Sequence, residues 1–498
     1  MKISRRKFVH QMGLGAASML GSQGAMGSVE RKAVLSGIQI SPPNLLDEGV
    51  EACLDFIQET AAIDTLFCYS QTYHMGARPL NVLATDHPHA PRAHGGRKLP
   101  FLWMKLPRKD FAGLSLQHET VGVEQEYGRR DLFAELVEPC RQRGMKVYAR
   151  ILEAGMRRAD RIPGYRSVAA VDLDGQPSHG PCWNHPDYRE WIHVTVEQMM
   201  RQYPLDGLQY GAERVGPLSE VLFRGIKPAC FCRHCSARNE KAGIDSERAK
   251  LGYQKLTKLI QSLEHGDSPP IDGVFTAVLR VILHYPEVLS WNQQWFLADQ
   301  EIQTLVYQTA KAVRPEADVG QHVDHQRSSW DLFYRAAVSY HSMAENNDFI
   351  KPILYHDILG PRLQEWVIDR VQARVLGDMS KELALDLFYA LFGHDAQREP
   401  NYGALPTRGL SPEYVFRETQ RCVAGVAGKA KVYAGIGFDV PTYVPGGMEP
   451  FPSDPSTTYQ ATRRAIDAGA SGVVASREYD EMTLPNLRAF GKAVRETH

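Results

Sequence analysis

Several things are scarce in this chain, and each absence excludes a class of protein. No apolar run beyond the N-terminal segment approaches the roughly 20 residues that span a bilayer, so a membrane partner is not expected. Basic residues are not in excess: 57 Lys and Arg stand against 58 Asp and Glu, which leaves no field to attract nucleic acid or anionic lipid. There is no fixed-period repeat, low-complexity tract or Pro/Ser linker, and hence no strong internal domain boundary. No glycine-rich phosphate loop follows the first predicted strand, which argues against a doubly wound nucleotide-binding sheet. No organic cofactor is expected. Cysteine is sparse, at 8 in 498 residues, and unevenly placed. Cys53, Cys68, Cys140 and Cys422 lie singly in apolar or helical contexts, whereas Cys230, Cys232 and Cys235 fall within one turn. Thiols that close together suit a metal better than a disulfide framework.

What is present begins with Ser4-Arg5-Arg6-Lys7-Phe8-Val9, followed by a weakly apolar stretch from Gly13 to Met26 and the small residues Ala25 and Gly27. A charged start, a short apolar segment and a small-residue cleavage site read as a twin-arginine signal peptide over residues 1–27. The expected partner is the twin-arginine translocase, and the expected location is periplasmic or secreted. Residues 28–498 then form the mature catalytic domain.

Along that remainder, short β-rich runs alternate with amphipathic helical runs. Strands are predicted at Val34–Ile40, Ile63–Ser70, Lys146–Leu152, Leu205–Tyr210, Asp318–Val323, Phe349–Tyr355, Lys431–Gly437 and Gly472–Ser476. Helices are predicted at Arg130–Arg143, Pro186–Gln202, Ser290–Val313, Pro412–Ala427 and Thr457–Ala468. Strands that alternate with helices imply a parallel sheet, and eight of them close a (β/α)8 TIM barrel. Long insertions are expected after strand two, from Gln71 to Arg129, and after strand four, from Arg214 to Ala317.

In such a barrel, reacting groups stand at the C-terminal strand ends. Reading along those ends gives His74 after strand two, Arg150 and Glu153 at strand three, and Glu213 after strand four. Next come His322, Asp324 and His325 at strand five, Tyr355, His356 and Asp357 at strand six, Asp439 after strand seven, and Arg477 and Glu478 after strand eight. Carboxylates interleaved with Tyr, His and Arg suit a polyhydroxylated substrate. Glu478, just before the last helix, reads first as a cap or an exposed charge.

The spacing of Cys230, Cys232 and Cys235 lets a turn point three thiolates at one ion. Cys182 is the natural fourth ligand, with His185 and His234 as alternatives.

Cys182-Trp183-Asn184-His185-Pro186, a strand ending Gln209-Tyr210-Gly211-Ala212-Glu213, and the turn Cys230-Phe231-Cys232-Arg233-His234-Cys235 together resemble the central part of glycoside hydrolase family 42 β-galactosidases. The resemblance is concentrated in residues 182–243. It implies a structural zinc held by Cys182, Cys230, Cys232 and Cys235, with Glu213 as acid/base. It also implies a carbohydrate substrate and self-association into a homo-oligomer. The family's acid/base Glu follows an Asn, whereas Ala212 precedes Glu213 here. Its nucleophile is a Glu ending strand seven, where this chain offers Asp439.

The expected activity is therefore cleavage of an O-glycosidic bond by two carboxylates. Glu213 is the proton donor, its pKa raised by partial burial and a neighbouring carboxylate, and Asp439 is the partner, with Asp324 and Asp357 as alternatives. Two other readings compete: a non-catalytic carbohydrate-binding barrel, and a sugar isomerase or epimerase with a catalytic metal on His322, Asp324, His356 and a further carboxylate.

Overall fold

The computed structural model describes residues 34–72, 102–118, 127, 130–153, 162–266, 268–444 and 447–497. The predicted signal peptide and His74 lie outside the described residues.

Eight parallel strands close into a barrel: β1 Leu35–Ile40, β2 Thr65–Tyr69, β3 Lys146–Leu152, β4 Gly207–Gly211, β5 Asp318–Val323, β6 Phe349–Pro352, β7 Lys431–Gly437 and β8 Gly472–Ser476. Each pairs with its sequence neighbours, and β8 returns to β1 through Leu35 opposite Gly472. This is the (β/α)8 TIM barrel expected from the alternation of strands and helices. Four predicted strands have the observed bounds; β6 stops at Pro352, before the predicted Tyr355, because the chain there turns out toward a helix starting at His356.

The barrel interior is packed by pairing large side chains with glycines on the neighbouring strand. Phe67, Tyr148, Phe349 and Tyr433 plug the N-terminal half, with ring centroids of adjacent pairs 4.7 to 6.5 Å apart. Gly37, Gly207, Gly320 and Gly472 face them: a Cβ on any of these would lie 2.5 to 2.8 Å from a ring atom. Below the plug, Asp318 accepts from Tyr148 Oη at 2.7 Å and pairs with Lys431 at 2.8 Å, closing that end.

The helices form for local reasons legible in the sequence. Pro186–Gln202 opens on proline at its first position with Asp187 in the first turn, and buries Tyr188, Trp191, Ile192 and Met199 on one face. Among the described residues, no helix is long and apolar enough to cross a membrane.

The connection after β4 is helical throughout much of its length, with helices at Pro217–Leu222, Arg233–Lys241, Ser246–Glu264, Val274–His284 and Glu287–Val313. It has its own apolar cluster around Leu218, Tyr253, Val288 and Trp291. A third long connection, after β6, was not expected. It carries His356–Arg362, a π-helical stretch at Leu363–Ile368, Asp369–Arg374, Lys381–Phe392 and Pro412–Val426.

Candidate active site and thiol centre

Above the aromatic plug the inward-facing residues turn polar. Gln39 on β1, Tyr69 on β2, Arg150 on β3, Gln209 on β4, His322 on β5, Lys351 on β6 and Ser476 on β8 are all buried. Glycines again make the room: a Cβ on Gly211 would lie 2.8 Å from His322, one on Gly435 2.5 Å from Lys351 Cε, and one on Gly437 2.2 Å from Tyr355.

Glu213 stands two residues beyond β4, its side chain 38 % exposed, with Oε1 3.5 Å from His322 Nε2. Burial, then the charge of Lys351, pushes the His322 pKa down to about 3, so the imidazole is neutral. Lys351 donates to Gln39 Oε1 and to Ser476 Oγ. Burial and the charge of Arg150 drive its ammonium pKa well below the ordinary value, against the pull of Glu213. Tyr355 shares a hydrogen bond of 2.8 Å with the same Ser476 hydroxyl.

Tyr69 links two carboxylates. It hydrogen bonds to Glu478, feels the charges of both Glu478 and Glu213, and lies 4.3 Å beneath the Arg150 guanidinium. Glu478 is only 5 % exposed and its side chain makes no cap hydrogen bond, which corrects its reading as a cap or a surface charge. Its position at the start of a 3-10 turn directs it inward, a feature that strand periodicity could not show.

Asp439 departs from its expected role. The residue sits at φ +54°, and its carboxylate accepts from Ser453 N at 3.0 Å, Thr483 N at 2.8 Å, Thr483 Oγ1 at 2.9 Å and Asn486 Nδ2 at 3.0 Å. With both oxygens occupied it ties the end of β7 to the last helix and has no lone pair for a sugar. Glu153, expected to touch substrate, is likewise committed. It accepts from Trp183 Nε1 at 2.8 Å, Tyr188 Oη at 2.5 Å and Tyr210 Oη, and pairs with Arg214 at 3.2 Å. Because Arg214 follows Glu213 directly, this buried knot fixes the backbone that carries Glu213.

Asp324 is 2 % exposed and caps the short helix after β5, accepting from Gln326 N at 2.7 Å and Arg327 N at 3.2 Å. Burial, opposed by Arg327 and aided by Glu213, raises its pKa to about 7. Asp357 pairs with His356 Nε2 at 3.0 Å and faces a shallow cavity with Arg408, Phe451 and Thr457, apart from the Glu213 group. Among the described residues, His322, Asp324 and His356 do not gather as a metal-ligating group.

Sequence reasoning missed an aromatic wall at the mouth. Trp330 packs on His325 at 4.8 Å and on Trp366 at 6.1 Å, and Trp366 meets Tyr443 at 5.4 Å. Arg362 lies 4.9 Å over the Trp366 ring and shares a 3.3 Å hydrogen bond with His325 Nδ1. Trp330 ends the short helix after β5, Arg362 and Trp366 come from the unexpected connection after β6, and Tyr443 from the short hairpin Thr442–Val444 with Gly447–Glu449.

The four thiols converge. Cys182 Sγ lies 3.4 Å from Cys232 Sγ and 3.6 Å from Cys235 Sγ, and all four sulfurs, with Cys230, fall within 4.8 Å of one another. A tetrahedral zinc with bonds of about 2.3 Å needs sulfurs separated by roughly 3.8 Å, so the donor set fits that ion. Val171 N donates to Cys230 Sγ at 3.2 Å and Asn184 Nδ2 to Cys235 Sγ at 3.3 Å, the outer contacts that orient thiolate ligands. His185 instead caps its own helix, accepting from Asp187 N at 3.2 Å, and meets His234 edge-to-face at 4.6 Å.

No family model and no curated protein matches this chain. Solved structures do. An α-L-fucosidase isoenzyme 2 from Paenibacillus thiaminolyticus shares 12 % identity over 92 % of this chain and 49 % of its own, with a TM-score of 0.42. β-Galactosidases from the haloarchaeon Halorubrum lacusprofundi, at 12 % identity, and from Marinomonas ef1, at 11 %, each cover 93 % of this chain with TM-scores of 0.49. The chain spans 58 % and 59 % of those two enzymes. At these identities the likeness is one of fold.

Proposed function

We propose that the protein is a glycoside hydrolase in which Glu213 is the general acid and Glu478 the second carboxylate. The supporting observation is the placement of both carboxylates around Tyr69 and Arg150 at the C-terminal end of the barrel. Glu213, the more exposed of the two, protonates the departing glycosidic oxygen. Glu478, held by Tyr69, attacks the anomeric carbon or takes a proton from water. Asp324 and Asp439 then serve structure, as a helix cap and a loop tie. Trp366 and Tyr443 offer ring faces to the C–H surface of a sugar.

Cys182, Cys230, Cys232 and Cys235 would hold a structural zinc, since four thiolates leave no open position on the ion. A twin-arginine route to the periplasm suits such a chain, because the thiols are metallated before they meet an oxidising compartment.

The test is product release from a panel of glycans and aryl glycosides by purified protein. On any glycoside turned over, Glu213→Gln and Glu478→Gln are each expected to lower kcat by about 100-fold or more, with melting unchanged. Saturable sugar binding with no product from any glycan would instead identify a carbohydrate-binding barrel.

A further inference from the structure

Two guanidinium groups border the aromatic wall: Arg362 lies 4.9 Å over Trp366, and Arg477 Nη2 lies 3.8 Å from Met448 Sδ, which pairs across the short hairpin with Tyr443. Arg362 is 7 % exposed; among the described residues its buried Nε has no acceptor and Nη1 meets the ring nitrogen of His325 at 3.3 Å. Burial and the facing charge of Arg477 depress its pKa to about 10, so it remains a cation at neutral pH. Its neighbour His325 is pushed well below its ordinary value by burial and by Arg362 itself, and so brings no compensating charge.

Arg477 approaches from the end of β8 with φ at +93°, a conformation costly for any residue but glycine. Its Nη1 is held by Glu481 at 3.1 Å, and its carbonyl accepts from Gln39 Nε2 at 3.2 Å. The fold thus keeps a strained backbone at Arg477, whose charge Glu481 offsets, and a buried Arg362 cation beside the aromatic wall. Among the described residues Arg362 has no carboxylate within ion-pair distance, and a buried cation in that state is unfavourable unless a ligand completes it.

From this, and resting on the hydrolase reading, we propose that the sugar residue bound at the mouth carries a carboxylate, gripped by Arg362 and Arg477 while its ring lies against Trp366. The planar fork of a guanidinium matches a carboxylate in two parallel hydrogen bonds, which favours a uronic acid over a neutral hexose.

The experiment separates the two claims by measuring binding and cleavage independently. Calorimetric titration of the full-length protein with glucuronate, galacturonate, glucose, galactose and a sulfated hexose is paired with turnover of both anomers of the matching aryl uronides and hexosides. The expected result is saturable uronate binding, with uronides cleaved in preference to hexosides. Arg362→Gln and Arg477→Gln are each expected to weaken uronate binding by about tenfold to a hundredfold, with Arg362→Lys recovering part of the loss.

Uronate binding with this arginine dependence but no cleavage would uphold the anion site and sink the hydrolase. Cleavage of neutral hexosides with no uronate binding would overturn the anion site and leave the hydrolase standing. Preference for the sulfated sugar over uronates would also overturn it, as would undiminished uronate affinity in both glutamine variants. Melting curves establish that each variant is folded, and the two arginines test the site independently of one another.

Discussion

Glu213 Oε1 lies 3.5 Å from His322 Nε2 across the seam between β4 and β5, in space that exists because Gly211 has no side chain. The imidazole is buried and neutral, with its pKa held at about 3. It therefore positions Glu213 without neutralising it. His322→Ala is expected to lower kcat by about tenfold to a hundredfold with little change in KM, and to move the limb of the pH–rate profile that reports Glu213. A packing role would leave that limb in place.

Glu478 and Asp439 make a contrasting pair. Asp439→Ala leaves the backbone N–H groups of Ser453 and Thr483 without their acceptor, so a loss of about 3 kcal/mol is expected. Chemical denaturation of this variant should show the loss plainly, whereas Glu478→Gln should unfold with the wild type and fail in turnover. The reverse pattern would return Asp439 to the catalytic role.

The thiol centre reaches Glu213 through a short chain of contacts. Cys182 precedes Trp183, which donates to Glu153, which pairs with Arg214 beside Glu213. One zinc per chain is expected by elemental analysis. Cys232→Ser should lose the metal and melt lower, and chelation of the wild type should lower melting before activity declines. Unchanged melting and metal content in Cys232→Ser would remove the assignment.

Asp324 supplies a pH dependence with a defined sign. Its folded pKa is raised from 3.8 to about 7, so its contribution to stability is fully present at low pH and is lost as pH rises through that window. Asn retains the helix-capping oxygen without the titration. Relative to wild type, Asp324→Asn should therefore gain stability between about pH 4 and pH 7, read as the difference between the two melting curves. A constant difference across that window would count against the shifted carboxyl.

Gly437 tests the packing rule of the upper barrel. A methyl there would sit 2.2 Å from Tyr355 Cδ1, so the ring must move and its 2.8 Å bond to Ser476 must break. Gly437→Ala is expected to cost about 1–3 kcal/mol and to reduce turnover along with it. Differential scanning calorimetry alongside kinetics checks both.

The barrel was legible because strand and helix periodicities are local: Lys146–Leu152, Asp318–Val323, Lys431–Gly437 and Gly472–Ser476 all have their predicted bounds. The thiol cluster was legible too, since Cys230, Cys232 and Cys235 share one turn and Cys182 stands just before the helix Pro186–Gln202. The identity of the second carboxylate was not. Asp439 and Glu478 each follow a strand end, and nothing in their neighbours tells that four donors from distant segments fill one while a tyrosine on β2 holds the other inward. Hydrogen-bond saturation and like-charge facing are properties of residues far apart in sequence. The local pattern determined the fold and the grouping of the four thiols, whereas the direction of each carboxylate and guanidinium was decided by tertiary packing.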